Sequence, residues 1–201
     1  MQEYRKKLDA LSSRVLRAYF DSTMFLYIVR FEEDKHKSSN FLFDYSYYSI
    51  RERAIISTKS IIEPSGRDKL TVEKVITELQ QNEKYKEFSN ELYKEYKELF
   101  NSEGAKRVKN FRDSLCHNIE NDSEKMLYCK DIMLIINVCM NILQDIYQEV
   151  FHTRNEDFYK IQCISATLAD DYWAAICEQA DKAPNRHEEL VELQRILNCR
   201  K

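Results

Sequence analysis

An all-α antiparallel bundle of about six or seven helices is predicted by three observations. Only 2 Gly and 2 Pro occur in 201 residues, so few positions can make tight positive-φ turns or interrupt a helix. Charged residues make up 32% and aromatic residues 12%, a mixture that lets long helices carry a solvated face and a bulky apolar face together. Apolar residues recur at three and four positions over long stretches, the period of a helix with one buried side.

The elements follow in order. Leu8, Leu11, Val15, Ala18, Ser22, Phe25 and Val29 share one face, which predicts a long helix from near residue 2 to about 36. A second helix from about Phe41 to Ile62 is rich in Phe and Tyr, read as core, and ends at Glu63-Pro64-Ser65-Gly66. Thr71 has the hydroxyl of an N-cap for a short helix reaching Gln81. Glu83 to Phe100 alternates Lys and Glu, the mark of a solvated helix face. After Asn101 to Gly104 comes a further helix carrying Lys106 to Asn118, with a loop near Glu120 to Asp122. Ile132, Ile135, Cys139, Ile142 and Ile146 then define a strongly apolar helix. Residues 153–201 read as two helices separated around Lys182 to Asn185. The chain is expected to be a single domain over 1–201, with a core of about 1–152 and a helical C-terminal extension of about 153–201.

Composition excludes some function classes. A net charge of −3 argues against coating nucleic acid by bulk electrostatics and leaves room only for a local basic patch. The six cysteines, at 116, 129, 139, 163, 177 and 199, form no C-x-x-C pair and no zinc-type spacing with histidine, so reduced core thiols are expected, with neither metal nor other cofactor. Met1 to Lys7 leads into a charged amphipathic pattern, and the longest apolar run, Met24 to Val29, is too short to cross a bilayer. A cytoplasmic protein without a membrane anchor is expected.

Chemistry concentrates in one helix. At about 100° per residue, Lys106, Asn110, Asp113 and His117 fall in a narrow sector, with Val108, Phe111 and Leu115 opposite. Arg112 stands about 140° from His117, so the two flank a patch that the long arginine side chain can close. A guanidinium holds phosphate through a planar fork of donors, and an imidazole exchanges protons near neutral pH. Asp113, one turn before His117, can accept from the imidazole and orient it. Lys106, Arg107 and Lys109 add local positive charge, and Asn110 and Asn118 add amides.

Spacing alone is weak. With 13 Arg and 4 His in the chain, an arginine five to seven residues before some histidine is expected roughly 0.8 times by chance. Arg30 and His36 also fit, but Glu32, Glu33 and Asp34 lie between them and would repel a phosphate backbone. Cys116 beside His117 is not a nucleophile and base pair, because neighbouring helix positions diverge. His152 and His187 read as capping residues at helix ends, and Glu156-Asp157 and Asp170-Asp171 as helix-start and surface charge. Tyr172-Trp173 reads as an interface or core anchor.

The run Arg112-Asp113-Ser114-Leu115-Cys116-His117 resembles the signature of the HEPN superfamily of metal-independent ribonucleases, most closely its abortive-infection U-type proteins. The sharp resemblance covers about a dozen residues; Arg51 to Leu70 is a softer match, and the helical layout extends the likeness over about 1–152. It implies a HEPN-like bundle acting as a homodimer, with two motifs facing each other across one cleft. His117 would be the proton-transfer residue and Arg112 would stabilise charge on the pentacoordinate phosphorus. Asp113 matches the polar position after the arginine. An RNA 2′-hydroxyl would lose its proton to a base and attack the adjacent phosphorus, and the leaving 5′-oxygen would be protonated. The products carry a 2′,3′-cyclic phosphate and a 5′-hydroxyl. The implied setting is phage defence or a toxin-like system, with RNA and an antitoxin or defence protein as partners. Some HEPN toxins carry a tyrosine two residues after the histidine, modified by a nucleotidyltransferase antitoxin. Ile119 stands there in this chain, so that regulation is not carried over. A catalytically inactive dimeric scaffold that binds RNA or a defence partner is the alternative.

Overall fold

The computed structural model describes residues 1–34, 41–63, 70–113 and 122–182, with side chains for 1–29, 45–63, 70–110 and 129–175. Among the described residues the chain is all-helical: α1 Gln2–Asp34, α2 Phe41–Ile62, α3 Val72–Leu79, a 3-10 turn Glu83–Tyr85, α4 Lys86–Asn101, α5 Glu103–Asp113, α6 Asp122–Phe151 and α7 Glu156–Lys182.

Helix α1 is the axis of the bundle. At 33 residues it runs about 50 Å, and all seven stripe residues, Leu8, Leu11, Val15, Ala18, Ser22, Phe25 and Val29, are buried. Its middle is enclosed on more than one side, because every residue from Asp21 to Phe25 is buried. Helices α2, α6 and α7 all pack against it. The α6 stripe Ile132, Ile135, Cys139, Ile142 and Ile146 is likewise buried. Burial of each Val, Leu, Ile or Phe in these stripes contributes about 1.5–3 kcal/mol relative to exposure, so the α1 and α6 stripes are a substantial part of the apolar stabilisation.

Buried polar tips tie the layers together, since a phenol or indole taken from water must find a partner. Tyr4 donates to the Val75 carbonyl (3.1 Å), Tyr96 to the Ile62 carbonyl (2.9 Å) and Tyr147 to Asp9 (2.6 Å). Arg14 reaches from α1 to the carbonyls of Leu70 (2.8 Å) and Ser60, fastening both ends of the α2–α3 connection. Thr71 caps α3 as expected, its Oγ1 accepting from the Lys74 amide (3.2 Å). The Lys and Glu-rich segment begins as a 3-10 turn capped by Asn82 before α4 starts at Lys86.

Helix α6 ends where His152 takes φ 52° and its amide donates to the Gln148 carbonyl (3.1 Å), while the Thr153 amide reaches Tyr147 (3.2 Å). The His152 bond, from a residue of left-handed conformation to the carbonyl four positions back, is the five-to-one closure of an αL helix C-terminus, so His152 caps through its backbone. Asn155 caps α7 through its Oδ1, which accepts from the Asp157 amide (3.1 Å).

Three expectations are refined. Residues 156–182 do not hang off the bundle: Phe158, Ser165, Ala169 and Trp173 are buried, and the Trp173 indole donates to the Met24 carbonyl of α1 (3.1 Å). The aromatic half of α2 is only partly core. Tyr47 is buried, but Tyr45 and Tyr48 are exposed at 63% and 47%, because near neighbours on a helix cannot all face α1. The thiols also divide: burial pushes Cys129 and Cys139 up to about 12, whereas Cys163 is exposed. No described helix is long and apolar enough to cross a membrane.

Candidate nucleic-acid interface on helix α5

Helix α5 starts almost where α4 stops. Ser102 takes an extended conformation at the end of α4, and its Oγ accepts from the Ala105 amide (3.2 Å), so one residue ends one helix and caps the next. Ala105 and Val108 are buried and form the inner side; Lys106 and Asn110 are exposed on the outer side. The amphipathic division expected for this helix is present in its described part.

Its position is set by a polar lock on α6. The Arg107 guanidinium donates through Nε to Asp131 Oδ2 (2.7 Å) and through Nη2 to Asp131 Oδ1 (3.0 Å), a two-bond planar pairing. Asp131 is buried, with its side chain 10% exposed against 37% for Arg107. The same carboxylate explains Gly104. A Cβ there would stand 2.7 Å from Asp131 Oδ1 and 3.0 Å from its Cγ, so a side chain at this position would force the carboxylate held by Arg107 to shift. Sequence reading placed Gly104 in the break before the helix. It lies in the first turn of α5, and close approach rather than a turn requires it.

The basic residues divide accordingly. Arg107 faces Asp131. Lys109 lies over the Phe100 ring, donates to the Phe100 carbonyl (3.3 Å) and stands 4.0 Å from Glu63. Burial lowers the Lys109 ammonium pKa below its usual value; Glu63 opposes that and nearby Lys97 and Lys106 add to it. Lys106 remains 55% exposed and, among the described residues, pairs with exposed Glu103 one turn back (2.7 Å). Of the residues expected to touch RNA, Lys106 and Asn110 therefore face solvent, while Arg107 and Lys109 make contacts that hold the bundle together.

Arg112 and Asp113 occupy the last described turn of α5, and their side chains lie outside the described set. His117, Asn118 and Cys116 fall in 114–121, also outside it, as do His36 and His187. Asp131 is the residue that sequence reading missed. The signal along the chain was a charge directly before the apolar stripe of α6; the helical position of Gly104 that exposes its role comes from the structure. Comparison of the chain with protein-family models, with curated proteins and with solved structures finds no match in any of the three.

Proposed function

We propose that the protein is a metal-independent endoribonuclease of HEPN type, working in phage defence or a toxin-like system as a homodimer with a composite site. The observation that carries this reading is the two-sided character of α5: Ala105 and Val108 buried, Lys106 and Asn110 exposed, and Arg112-Asp113 in its last described turn, directly before the segment that carries His117. A helix so arranged offers a polar line along which a phosphate backbone can lie. In this reading His117 transfers the proton, Arg112 meets the charge that builds on the phosphorus, and Asp113 orients the imidazole. One histidine from each chain supplies the base and the acid, and Lys106 and Asn110 hold the neighbouring nucleotides. An antitoxin or defence protein is a further partner of this reading, and the cytoplasm its compartment.

The test is incubation of the purified protein with end-labelled RNA in EDTA. Wild type is expected to give fragments ending in a 2′,3′-cyclic phosphate, and His117→Ala and Arg112→Ala are expected to lose at least about 100-fold in rate. Equal cleavage by wild type and His117→Ala would overturn the assignment. A second reading, the inactive scaffold that binds RNA or a defence partner, is favoured by the contacts of Arg107 and Lys109, which spend two of the local cations on the fold. Retention of RNA on the protein without any cleavage would decide for it.

A further inference from the structure

Helices α6 and α7 are joined by residues 152–155 and both pack along α1, yet among the described residues their backbones hardly approach each other. The space between them is a cleft of about 630 Å³. Buried Met140 and Phe158 give it an apolar base, and two polar rows flank it: Asn141, Gln144 and Gln148 at i, i+3 and i+7 on α6, with Asn155 and Gln162 on the α7 side. A carboxamide shut between packed helices would lose its hydrogen bonds to water. Rows of them therefore keep the cleft open to a polar occupant.

Two of the carboxamides shape the cleft. Gln144 Oε1 accepts from the Asn155 amide (3.1 Å), and Asn155 Oδ1 in turn accepts from the Asp157 amide (3.1 Å). Asn141, Gln148 and Gln162 are exposed and have no hydrogen-bond partner among the described residues. Arg154, also exposed, makes no ion pair among them, whereas Lys160 stands 3.6 Å from both Glu156 and Asp157. With Arg154 and Lys160 set against Glu156, the lining carries one positive charge in excess. Tyr159 adds a ring that is 72% exposed.

We propose that this cleft binds a nucleoside monophosphate, presented as a free nucleotide or as one residue of an RNA strand, with adenine the best-matched base. A carboxamide carries donor and acceptor in one plane, the complement of an adenine edge. Tyr159 offers a face on which the base can stack, and the Arg154 guanidinium offers a planar fork of donors to the phosphate. A simple carboxylate would engage Arg154 and leave the carboxamides idle, and a neutral sugar would do the reverse. A nucleotide uses both, and the cleft is of a size that holds one. Gln144 lies about 20 Å along α6 from Asp131, so the cleft is separate from the α5 surface. The inference does not depend on the ribonuclease reading.

Its test is calorimetric titration of the full chain with AMP, adenosine, inorganic phosphate and a 2′-O-methyl oligoadenylate, which cannot be cut through its 2′-oxygen, so binding is read apart from any cleavage. AMP or the oligonucleotide is expected to bind at least about tenfold more tightly than phosphate or adenosine, because only they engage Arg154 and the carboxamides together. Tighter binding of AMP assigns the cleft to a free nucleotide, and tighter binding of the oligonucleotide assigns it to a strand. Arg154→Ala should bring AMP down to the affinity of adenosine, and Gln162→Ala should weaken AMP while leaving phosphate unchanged. Both side chains are exposed, so thermal melting of the two variants should match wild type. The proposal is overturned if neither AMP nor the oligonucleotide binds more tightly than phosphate, or if Arg154→Ala leaves their affinities unaltered.

Discussion

Helices α1 and α5 are both two-sided, yet they are held in opposite ways. Along α1 a seven-residue stripe is buried, the middle is enclosed from Asp21 to Phe25, and four other helices lean on it. Among its described side chains, α5 buries only Ala105 and Val108 and is located by a guanidinium, a carboxylate and a glycine. The first arrangement is non-directional and spreads its energy over many contacts. The second is directional, so a few atoms decide where the helix that carries the candidate site sits. A framework built in the first way can tolerate adjustment, whereas a site placed in the second way is exact in position and vulnerable to single substitutions.

Each side of that contrast can be probed. The largest effect is expected from Trp173→Ala, which empties a fully buried site between α7 and α1 and removes the bond to the Met24 carbonyl. Urea unfolding should show a loss of about 3–5 kcal/mol, and a loss below about 1 kcal/mol would mean that α7 is not an integral part of the core.

An intermediate effect is expected at the lock. Gly104→Ala should destabilise by about 1–3 kcal/mol through its clash with Asp131, although alanine in a helix is ordinarily better than glycine by about 0.5–1 kcal/mol. In an Asp131→Ala background the sign should therefore reverse and the same substitution should stabilise. A double-mutant cycle that shows simple additivity would break the account of how α5 is placed. If the ribonuclease reading holds, Gly104→Ala should also slow RNA cleavage.

The smallest effect on stability is expected from Lys106→Ala, because the partner Glu103 is exposed and surface pairs of this kind count for little. Melting should be unchanged; if the ribonuclease reading holds, RNA binding should weaken and the slope of log affinity against log salt should fall by about one. A drop in melting temperature with unaltered RNA binding would reverse the roles assigned to Lys106 and to Arg107.

Much of the bundle was legible along the chain. The stripes of α1 and α6, the Thr71 cap and the starts of α2 and α7 all follow from local rules, since a helix needs only its own periodicity and a side chain for its first free amides. The division of the basic residues was not legible. Lys106, Arg107 and Lys109 look alike as a cluster of cations, and which of them faces solvent depends on Asp131 and Glu63, residues more than twenty and more than forty positions away. The same holds for Gly104, whose need arises from a side chain on another helix.

By itself, then, the amino-acid order determined that this chain is helical, where most helices begin, and which faces of α1 and α6 are buried. Those properties depend on backbone hydrogen bonds and apolar spacing within single segments. Only the tertiary structure decided that α7 belongs to the core, that Tyr45 and Tyr48 stay outside it, and that Arg107 anchors α5 while Lys106 remains exposed. Burial and ion pairing belong to two surfaces at once, and the second surface is supplied by residues remote in sequence.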